Sequence, residues 1–153
     1  MNPLFDAAQS LQQTIRSTIP MSQHMGYEIT ALSETSIQVS APLENNVNIH
    51  GTAFAGSIYS VATLTAWALC YHMLQSTHTG AELVLGEGQI KYRAPIKADL
   101  QCTAEVSAEE REDFLNTLTT KGRSRLLVKV NINNAAFWEG KLAAKIPAKT
   151  LTS

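Results

Sequence analysis

The longest apolar stretch of the chain runs from Ala53 to Gln75 and contains no Asp, Glu, Lys or Arg. Small residues crowd its first half, and large residues such as Leu64 and Trp67 fill its second half. A helix that is apolar on nearly every face must be enclosed by protein or by lipid. Its length is about that of a membrane span, but it carries Ser, Thr and His side chains and has no basic flank. We therefore predict one long helix inside a protein core, with Leu64 and Trp67 largely buried.

The segment before this helix predicts one outer helix and one hairpin. Asn2-Pro3 provides a capping side chain followed by proline at the first helical position, and the amphipathic pattern ends before Ile19-Pro20. Met25-Gly26 is predicted to be a turn. Two short runs of alternating apolar and polar residues, centred on Ile29 and Val39, then predict paired strands.

Four further alternating runs follow the long helix, at residues 84–94, 99–106, 125–132 and 138–146. In the first run, Val84 and Ile90 are predicted to face the core, with Leu85 and Glu87 on the opposite face. The acidic stretch from Glu109 to Asp113 is predicted to be a solvated hairpin end. Together these elements predict an α+β fold in which a six-stranded antiparallel sheet wraps one central helix, the hot-dog architecture.

Length and charge narrow the functional classes. With 153 residues, the chain is expected to form a single domain, residues 1–153. A formal net charge of −1 argues against a nucleic-acid partner, which requires a basic surface. Cys70 and Cys102 lie in apolar stretches without paired spacing, so they are expected to be reduced core thiols. The four histidines form no metal-ligand pattern, and no signal peptide is visible, so we expect a cytoplasmic protein without a metal.

Three motifs resemble those of a known superfamily. The loop Asn48-Ile49-His50-Gly51-Thr52-Ala53-Phe54-Ala55-Gly56 resembles the Asn-x-x-Gly-Thr-x-His-Gly-Gly loop of hot-dog acyl-CoA thioesterases of the phenylacetic-acid-pathway type. The segment from Ile90 to Asp99 is similar to the Tyr-x-x-Pro strand-turn of that superfamily, and Ile19-Pro20 with Met25-Gly26 also fits. The chain looks most like the thioesterase-like family whose members occur alone or fused behind an acetyltransferase domain. This resemblance covers almost the whole chain and implies hydrolysis of an acyl-CoA or acyl-carrier thioester.

The start of the long helix is the candidate catalytic centre. Free N–H groups and a partial positive charge at a helix N-terminus suit a developing oxyanion. The small residues Ala55 and Gly56 would let a thioester approach those amides. The resemblance implies that the Ala55 amide polarises the carbonyl and that Asn48 helps to place substrate or water. For Asn48, a plain turn or capping role is an equal alternative.

The chain departs from the resembling enzymes at two positions. Phe54 stands in place of the loop histidine, and Thr63 occupies the position of a catalytic aspartate on the helix, which carries no carboxylate. Thr63 would orient a water or serve simply as a core residue. Glu87, supplied by a partner subunit, is the first candidate for the base, and an exposed strand carboxylate is its alternative. His50 is the second candidate and is otherwise a loop residue; His50 and Phe54 are also placed in the substrate-binding set.

The coenzyme A part of such a substrate carries phosphates, so a basic rim is expected. Arg93 and its neighbours on one hairpin, with Arg123 and Arg125 on the next, are the candidates, although solvated strand charges are the ordinary explanation. No cofactor is expected beyond the coenzyme A moiety of the substrate. The strand at 84–94 has an alternating pattern without inward charge, which predicts edge-to-edge pairing into a homodimer or a dimer of dimers. A hydratase or dehydratase and a non-catalytic acyl-thioester binding module are the alternative functions.

Overall fold

One long helix lies against a six-stranded antiparallel sheet, as predicted. The computed structural model describes residues 2–148. The helices are α1 (Pro3–Thr18), α2 (Pro20–Met25), α3 (Ala55–Gln75) and α4 (Ala108–Lys121), and the strands are β1 (Glu28–Leu32), β2 (Ser36–Ala41), β3 (Glu82–Tyr92), β4 (Leu100–Glu105), β5 (Arg123–Ile132) and β6 (Ala136–Lys145). The strand order β1-β2-β4-β5-β6-β3 leaves β1 and β3 at the two edges. The α+β hot-dog prediction is confirmed.

Helix α3 is enclosed on almost all sides because its sequence leaves no polar face. Eleven of its residues are buried, and they include consecutive positions such as 64–66 and 68–70. The helix begins at Ala55 rather than at Ala53, because the Ala53 N–H donates to the Ile96 carbonyl in a loop contact of 2.8 Å. Leu64 is buried as predicted. Trp67 is only half-buried, and its indole N–H donates to the Leu83 carbonyl of β3 at 3.1 Å.

The predicted faces of β3 are wrong at its start. The pairing with β6 shifts between Leu85 and Glu87, so Gly86 is the extra residue of a β-bulge. Leu85 is therefore partly buried, whereas Val84 is 60% exposed. Beyond the bulge, Ile90 faces the core as predicted, and Glu87 faces outward. The strand thus consists of two segments, one before and one after the bulge. Inward-facing and outward-facing side chains alternate in each segment, and the alternation shifts by one residue at Gly86.

The acidic stretch from Glu109 to Asp113 is not a hairpin end. It forms the first half of α4, which starts with a reciprocal capping box between Ser107 and Glu110. Phe114, Leu115 and Leu118 are the buried residues of this helix. The acidic residues in its first turn lie at the positive end of the helix dipole. They therefore stabilise a helix and do not belong to a solvent-exposed hairpin.

The predicted start of α1 is confirmed, and a tight turn joins β5 to β6. The Asn2 side chain accepts the Leu4 N–H at 3.0 Å, and α1 runs from Pro3 to Thr18. Asn133 and Asn134 both have φ of 54°, the left-handed conformation of a tight hairpin turn between β5 and β6. Within residues 2–148, no helix is both long enough and apolar enough to cross a membrane.

Candidate active site

The loop before α3 is tied to the body of the protein through Asn46. This side chain is 2% exposed, and its Nδ2 donates to the carbonyls of Met25 (2.9 Å) and Pro42 (2.8 Å). The Asn46 carbonyl accepts the Phe54 N–H at 2.7 Å. Because Phe54 is the N-cap of α3, this bond fixes where the helix begins. Asn46 therefore holds the entrance of the helix in place.

Asn48 has its polar atoms engaged within the loop. Its Oδ1 accepts the N–H groups of His50 (2.8 Å) and Thr52 (3.2 Å), and its Nδ2 donates to the Thr52 hydroxyl at 2.8 Å. These contacts make an Asx-type turn. The geometry therefore favours the turn role of Asn48, with its amide acting through loop shape rather than on a reacting atom.

The first turn of α3 leaves donors free. Phe54 provides no side-chain capping bond, and the turn carries no acidic residue. Among residues 2–148, the amides of Ala55, Gly56 and Ser57 meet no hydrogen-bond acceptor, and the first helical bond runs from Ile58 N–H to the Phe54 carbonyl. Helix dipoles place a partial positive charge at this point. The helix start is thus a site prepared for negative charge.

A shallow depression of ≈ 370 Å³ lies at this helix start. Its wall combines the loop and the end of β3, and the lining residues include Asn48, Ala55, Tyr92, Arg93 and Pro95. The Tyr-x-x-Pro motif and the loop motif, which are far apart in the chain, therefore meet in one place. No carboxylate lines this depression within the part of the chain that the structure describes.

Two apolar side chains of the loop and the helix start are exposed. Ile49 is 95% exposed and Phe54 is 53% exposed. The Phe54 ring folds back over Gly56, since a Cβ at position 56 would lie 2.6 Å from its Cε2 atom. Both side chains are therefore accessible to a ligand bound at the helix start.

Tyr92 connects β3 to the helix start. Its hydroxyl donates to the Ala55 carbonyl at 2.8 Å. Burial, and then the neighbouring Tyr59, raise the pKa of Tyr92, so the hydroxyl remains a donor. The Ala55 carbonyl and the Gly56 N–H belong to the same peptide group. Tyr92 thus holds and polarises one of the free donors.

Thr63 lies on the face of α3 that is turned toward β3. It follows Tyr59 and precedes Trp67 at intervals of four residues, which places the three on one side of the helix. Trp67 bonds to β3, and the Tyr59 hydroxyl lies close to Gly88 of the same strand. The Thr63 hydroxyl is buried and has no hydrogen-bond partner among the described residues.

Glu87 does not reach the helix start in its own chain. It lies on the outer face of the sheet, where its carboxylate pairs with Lys141 at 2.9 Å. The hydrogen bond from Lys141 holds the pKa of Glu87 below its usual range. A carboxylate that is paired, exposed and low in pKa is a weak base. Edge pairing of two β3 strands would extend the same sheet, so Glu87 of either subunit would stay on the face opposite the helices.

The other predicted site residues are split between the two ends of the sheet. Arg93 lines the depression, and His50 is exposed at the tip of the loop. Arg123 lies opposite Lys145 in the register of β5 and β6, at the end of the sheet that is remote from Tyr92. Arg125 lies two residues further along β5. The distance along the strands is roughly 30 Å. Within one chain, Arg123 and Arg125 are therefore far from the depression.

Sequence reasoning missed the roles of Asn46 and Tyr92. Asn46 was visible only as part of an Asn-rich loop, and Tyr92 only as the first residue of the Tyr-x-x-Pro motif. Both act through tertiary hydrogen bonds to backbone carbonyls. The occurrence of Tyr92 in a motif was the one available signal.

The comparisons with known proteins agree with this geometry. Residues 8–145 match the family model described as "Putative thioesterase (yiiD_Cterm)". The chain belongs to this thioesterase family. Thioester hydrolysis is therefore its class of activity. The match covers both motifs that form the depression.

Solved structures resemble this thioesterase-family chain over nearly its whole length. A protein of unknown function from Chlorobaculum tepidum has 26% identity and a TM-score of 0.89, covering 94% of this chain and 97% of the other. A protein described as a putative thioesterase from Shewanella oneidensis has 28% identity and a TM-score of 0.82, covering 93% and 99%. The PaaI protein of the E. coli phenylacetic acid degradation operon, at 17% identity, TM-score 0.65 and coverage of 95% and 97%, shares the fold.

Proposed function

We propose that the protein hydrolyses acyl-CoA thioesters at the N-terminus of α3. The carrying observation is the set of three free amides, Ala55, Gly56 and Ser57, in the first turn of α3, where Ala55 lines a depression that has no acidic side chain among residues 2–148. The thioester carbonyl accepts from the Ala55 and Gly56 amides, and the oxygen becomes more negative as water attacks. Donors placed in advance on that oxygen stabilise the transition state more than the ground state.

The same proposal assigns the surroundings of the carbonyl. Phe54 and Ile49 contact the acyl group, and Arg93 contacts a phosphate of the coenzyme A tail, with which a guanidinium pairs well. The two buried thiols, Cys70 and Cys102, fit a reducing cytoplasm. We propose acyl-CoA rather than an acyl carrier protein as the substrate. The coenzyme A tail is small and carries phosphates, and the single arginine at the depression, Arg93, is sufficient to bind it.

The attacking water is assigned to Thr63 of a second subunit. We propose that two copies pair through the exposed edge of β3, giving a homodimer or a dimer of dimers. If the two β3 strands pair antiparallel, the Tyr92 end of β3 in one subunit lies close to the first residues of β3 in the other subunit. Thr63 is turned toward β3, and its buried hydroxyl lacks a partner among the described residues. Light scattering at micromolar concentration should report a multiple of 16.7 kDa, and a monomer there would rule out this assembly.

Ala55→Pro tests the oxyanion donor directly. Proline lacks the N–H but is favoured at the first helical position, and Phe54 already has the extended conformation that precedes proline, with φ −69° and ψ 130°. Loss of one oxyanion donor costs about 10²–10³ in kcat. We expect that loss against a panel of acyl-CoA substrates in a thiol-detecting assay, with the unfolding midpoint retained. Ala55→Gly keeps the N–H and serves as the matched control.

Glu87→Gln and Thr63→Val separate the two candidates for the water. We expect Glu87→Gln to retain turnover, since this carboxylate lies on the outer face. Thr63→Val should lower kcat by about tenfold or more if the hydroxyl holds the water. A large loss with Glu87→Gln and none with Thr63→Val would refute the assignment.

A non-catalytic acyl-thioester binding module is the second candidate function. The absence of a carboxylate in the depression, among residues 2–148, favours it. It predicts saturable acyl-CoA binding without turnover, and Ala55→Pro would then weaken binding alone. A hydratase or dehydratase needs a histidine with an acidic partner near the helix start. His50 is exposed, and among residues 2–148 no acidic side chain lines the depression.

A further inference from the structure

The N-terminal motif, Ile19-Pro20 with Met25-Gly26, does not line the depression at the helix start. Gly26 ends α2 in the left-handed conformation, with φ of 65° and ψ of 34°, which favours glycine. The Met25 carbonyl belongs to the peptide group that precedes Gly26. The turn therefore fixes the direction in which this carbonyl points.

A chain of contacts connects this turn to the start of α3. Asn46 Nδ2 donates to the carbonyls of Met25 at 2.9 Å and Pro42 at 2.8 Å, and the Asn46 carbonyl accepts the Phe54 N–H at 2.7 Å. Asn46 is 2% exposed, so its position depends on these protein partners rather than on solvent. Phe54 is the N-cap that precedes the free Ala55 amide. A displacement of Met25 or Pro42 is therefore passed through Asn46 to the helix start.

Gly26 packs directly against the second of these two anchors. A Cβ at position 26 would lie 2.7 Å from the Cδ atom of Pro42, whereas ordinary carbon–carbon contacts are about 3.5–4 Å. The proline ring is joined to its own backbone and cannot turn away. A side chain at position 26 would therefore move the backbone at Gly26 or Pro42 by about 1 Å. These are the segments that supply both acceptors of Asn46.

We propose that Gly26 and Asn46 are positioning residues for the thioester site, which they serve by holding the first turn of α3 in its reactive place. The proposal rests on the proposed hydrolysis at the Ala55 and Gly56 amides. Neither positioning residue lines the depression. A misplacement of about 1 Å costs up to about 10²-fold in rate. Because oxyanion donors act mainly in the transition state, the loss should appear in kcat rather than in KM.

Gly26→Ala tests the proposal, with Gly122→Ala as the matched control. Gly122 ends α4 with φ of 75°, and no atom of residues 2–148 lies within 4 Å of a Cβ built there. Both variants place alanine in the left-handed conformation, but only Gly26→Ala displaces the anchors of Asn46. We expect kcat to fall at least about tenfold in Gly26→Ala and to stay within about twofold in Gly122→Ala, with KM within about twofold in both. Urea unfolding shows that both variants are folded under the assay conditions.

A double-mutant cycle tests whether the effect passes through Asn46. Asn46→Ala removes both side-chain donors and should lower kcat by a similar factor, whereas Asn45→Ala should not, because the Asn45 side chain donates to the His24 carbonyl of α2. Adding Gly26→Ala to Asn46→Ala should lower kcat no further, since the same contacts are already lost. Asn46→Ser, which keeps one donor, replaces Asn46→Ala if that variant is unfolded. Independent, multiplying losses would overturn the proposal.

The backbone amide resonances of Ala55, Gly56 and Ser57 provide a readout that does not need turnover. In ¹H–¹⁵N spectra they should shift in Gly26→Ala and Asn46→Ala and stay in place in Gly122→Ala. Unchanged resonances in Gly26→Ala would overturn the proposal, and so would an unchanged kcat in an active enzyme. A wild-type protein without turnover would refute the proposed hydrolysis, while the resonances would still decide whether Gly26 and Asn46 place these amides.

Discussion

Replacing Tyr92 by phenylalanine removes the hydroxyl that is hydrogen-bonded to the first turn of α3. The hydroxyl donates to the Ala55 carbonyl at 2.8 Å, and 47% of the Tyr92 surface is exposed. The carbonyl retains its ordinary helical bond from the N–H four residues later. The free energy of unfolding should therefore fall only by the net value of one hydrogen bond, about 0.5–1.5 kcal/mol.

The effect on catalysis is expected to be separable from this change in stability. The Ala55 carbonyl shares its peptide group with the Gly56 N–H, so loss of the Tyr92 bond makes that N–H a weaker donor. A loss of about 1 kcal/mol of transition-state stabilisation corresponds to roughly a fivefold fall in kcat. KM should stay within about twofold, because the ground-state carbonyl carries less charge than the oxyanion.

Steady-state kinetics with a thiol-detecting assay measure both constants, and urea unfolding measures stability. Tyr71→Phe is the matched control, since Tyr71 stacks on Trp67 in the last turns of the same helix. An unchanged kcat in Tyr92→Phe, with Ala55→Pro strongly impaired, would refute the polarisation argument. A change confined to KM would mean that Tyr92 contacts the substrate instead.

Three further predictions concern stability and reactivity. Gly88→Ala would place a Cβ 2.7 Å from the Tyr59 hydroxyl, so urea unfolding should show a loss of about 1–3 kcal/mol, and adding Tyr59→Phe should restore part of it. Burial is the main cause, and the nearby Arg111 the second, of a pKa of His72 that lies below the usual 6.5. As the pH falls below about 6.5, His72 takes up a proton more readily in the unfolded chain than in the folded one, so the free energy of unfolding should decrease. His72→Gln should show a weaker dependence of stability on pH. Burial raises the pKa of the Cys102 thiol to about 12 and raises that of Cys70 as well, so neither should react with a thiol reagent until urea unfolds the protein, and reaction in the native state would contradict the packing.

The fold was predictable where burial depends on local pattern. The uncharged run of α3 and the alternation in β2, β4, β5 and β6 report directly which side chains are buried. Helix α4 was missed because its acidic first turn resembles a solvated loop, although Ser107 and Glu110 already spell a capping box. The orientation of Val84 could not be predicted, because the bulge at Gly86 exists only through pairing with β6.

The sequence points to the helix start as the candidate site, but it does not reveal the contacts that build this region. The helix start was indicated by the small residues Ala55 and Gly56 next to a recognisable loop. The bonds of Asn46 and Tyr92 join segments far apart in the chain, and no spacing along the sequence encodes such contacts. Glu87 was predicted to face outward and does so, but the ion pair that weakens it as a base depends on Lys141, 54 positions later.

The bulge in β3 has a consequence for how the chain tolerates changes in length. Leu85 lies opposite Leu142 and Glu87 lies opposite Lys141, so Gly86 has no counterpart on β6. Removing this one residue would leave every other pair in register and every side chain on its present face. Deletion inside a strand normally turns half of its side chains to the wrong side. Here Gly86 behaves as an insertion that the sheet has absorbed, and a chain lacking it would keep the same core around a straighter edge.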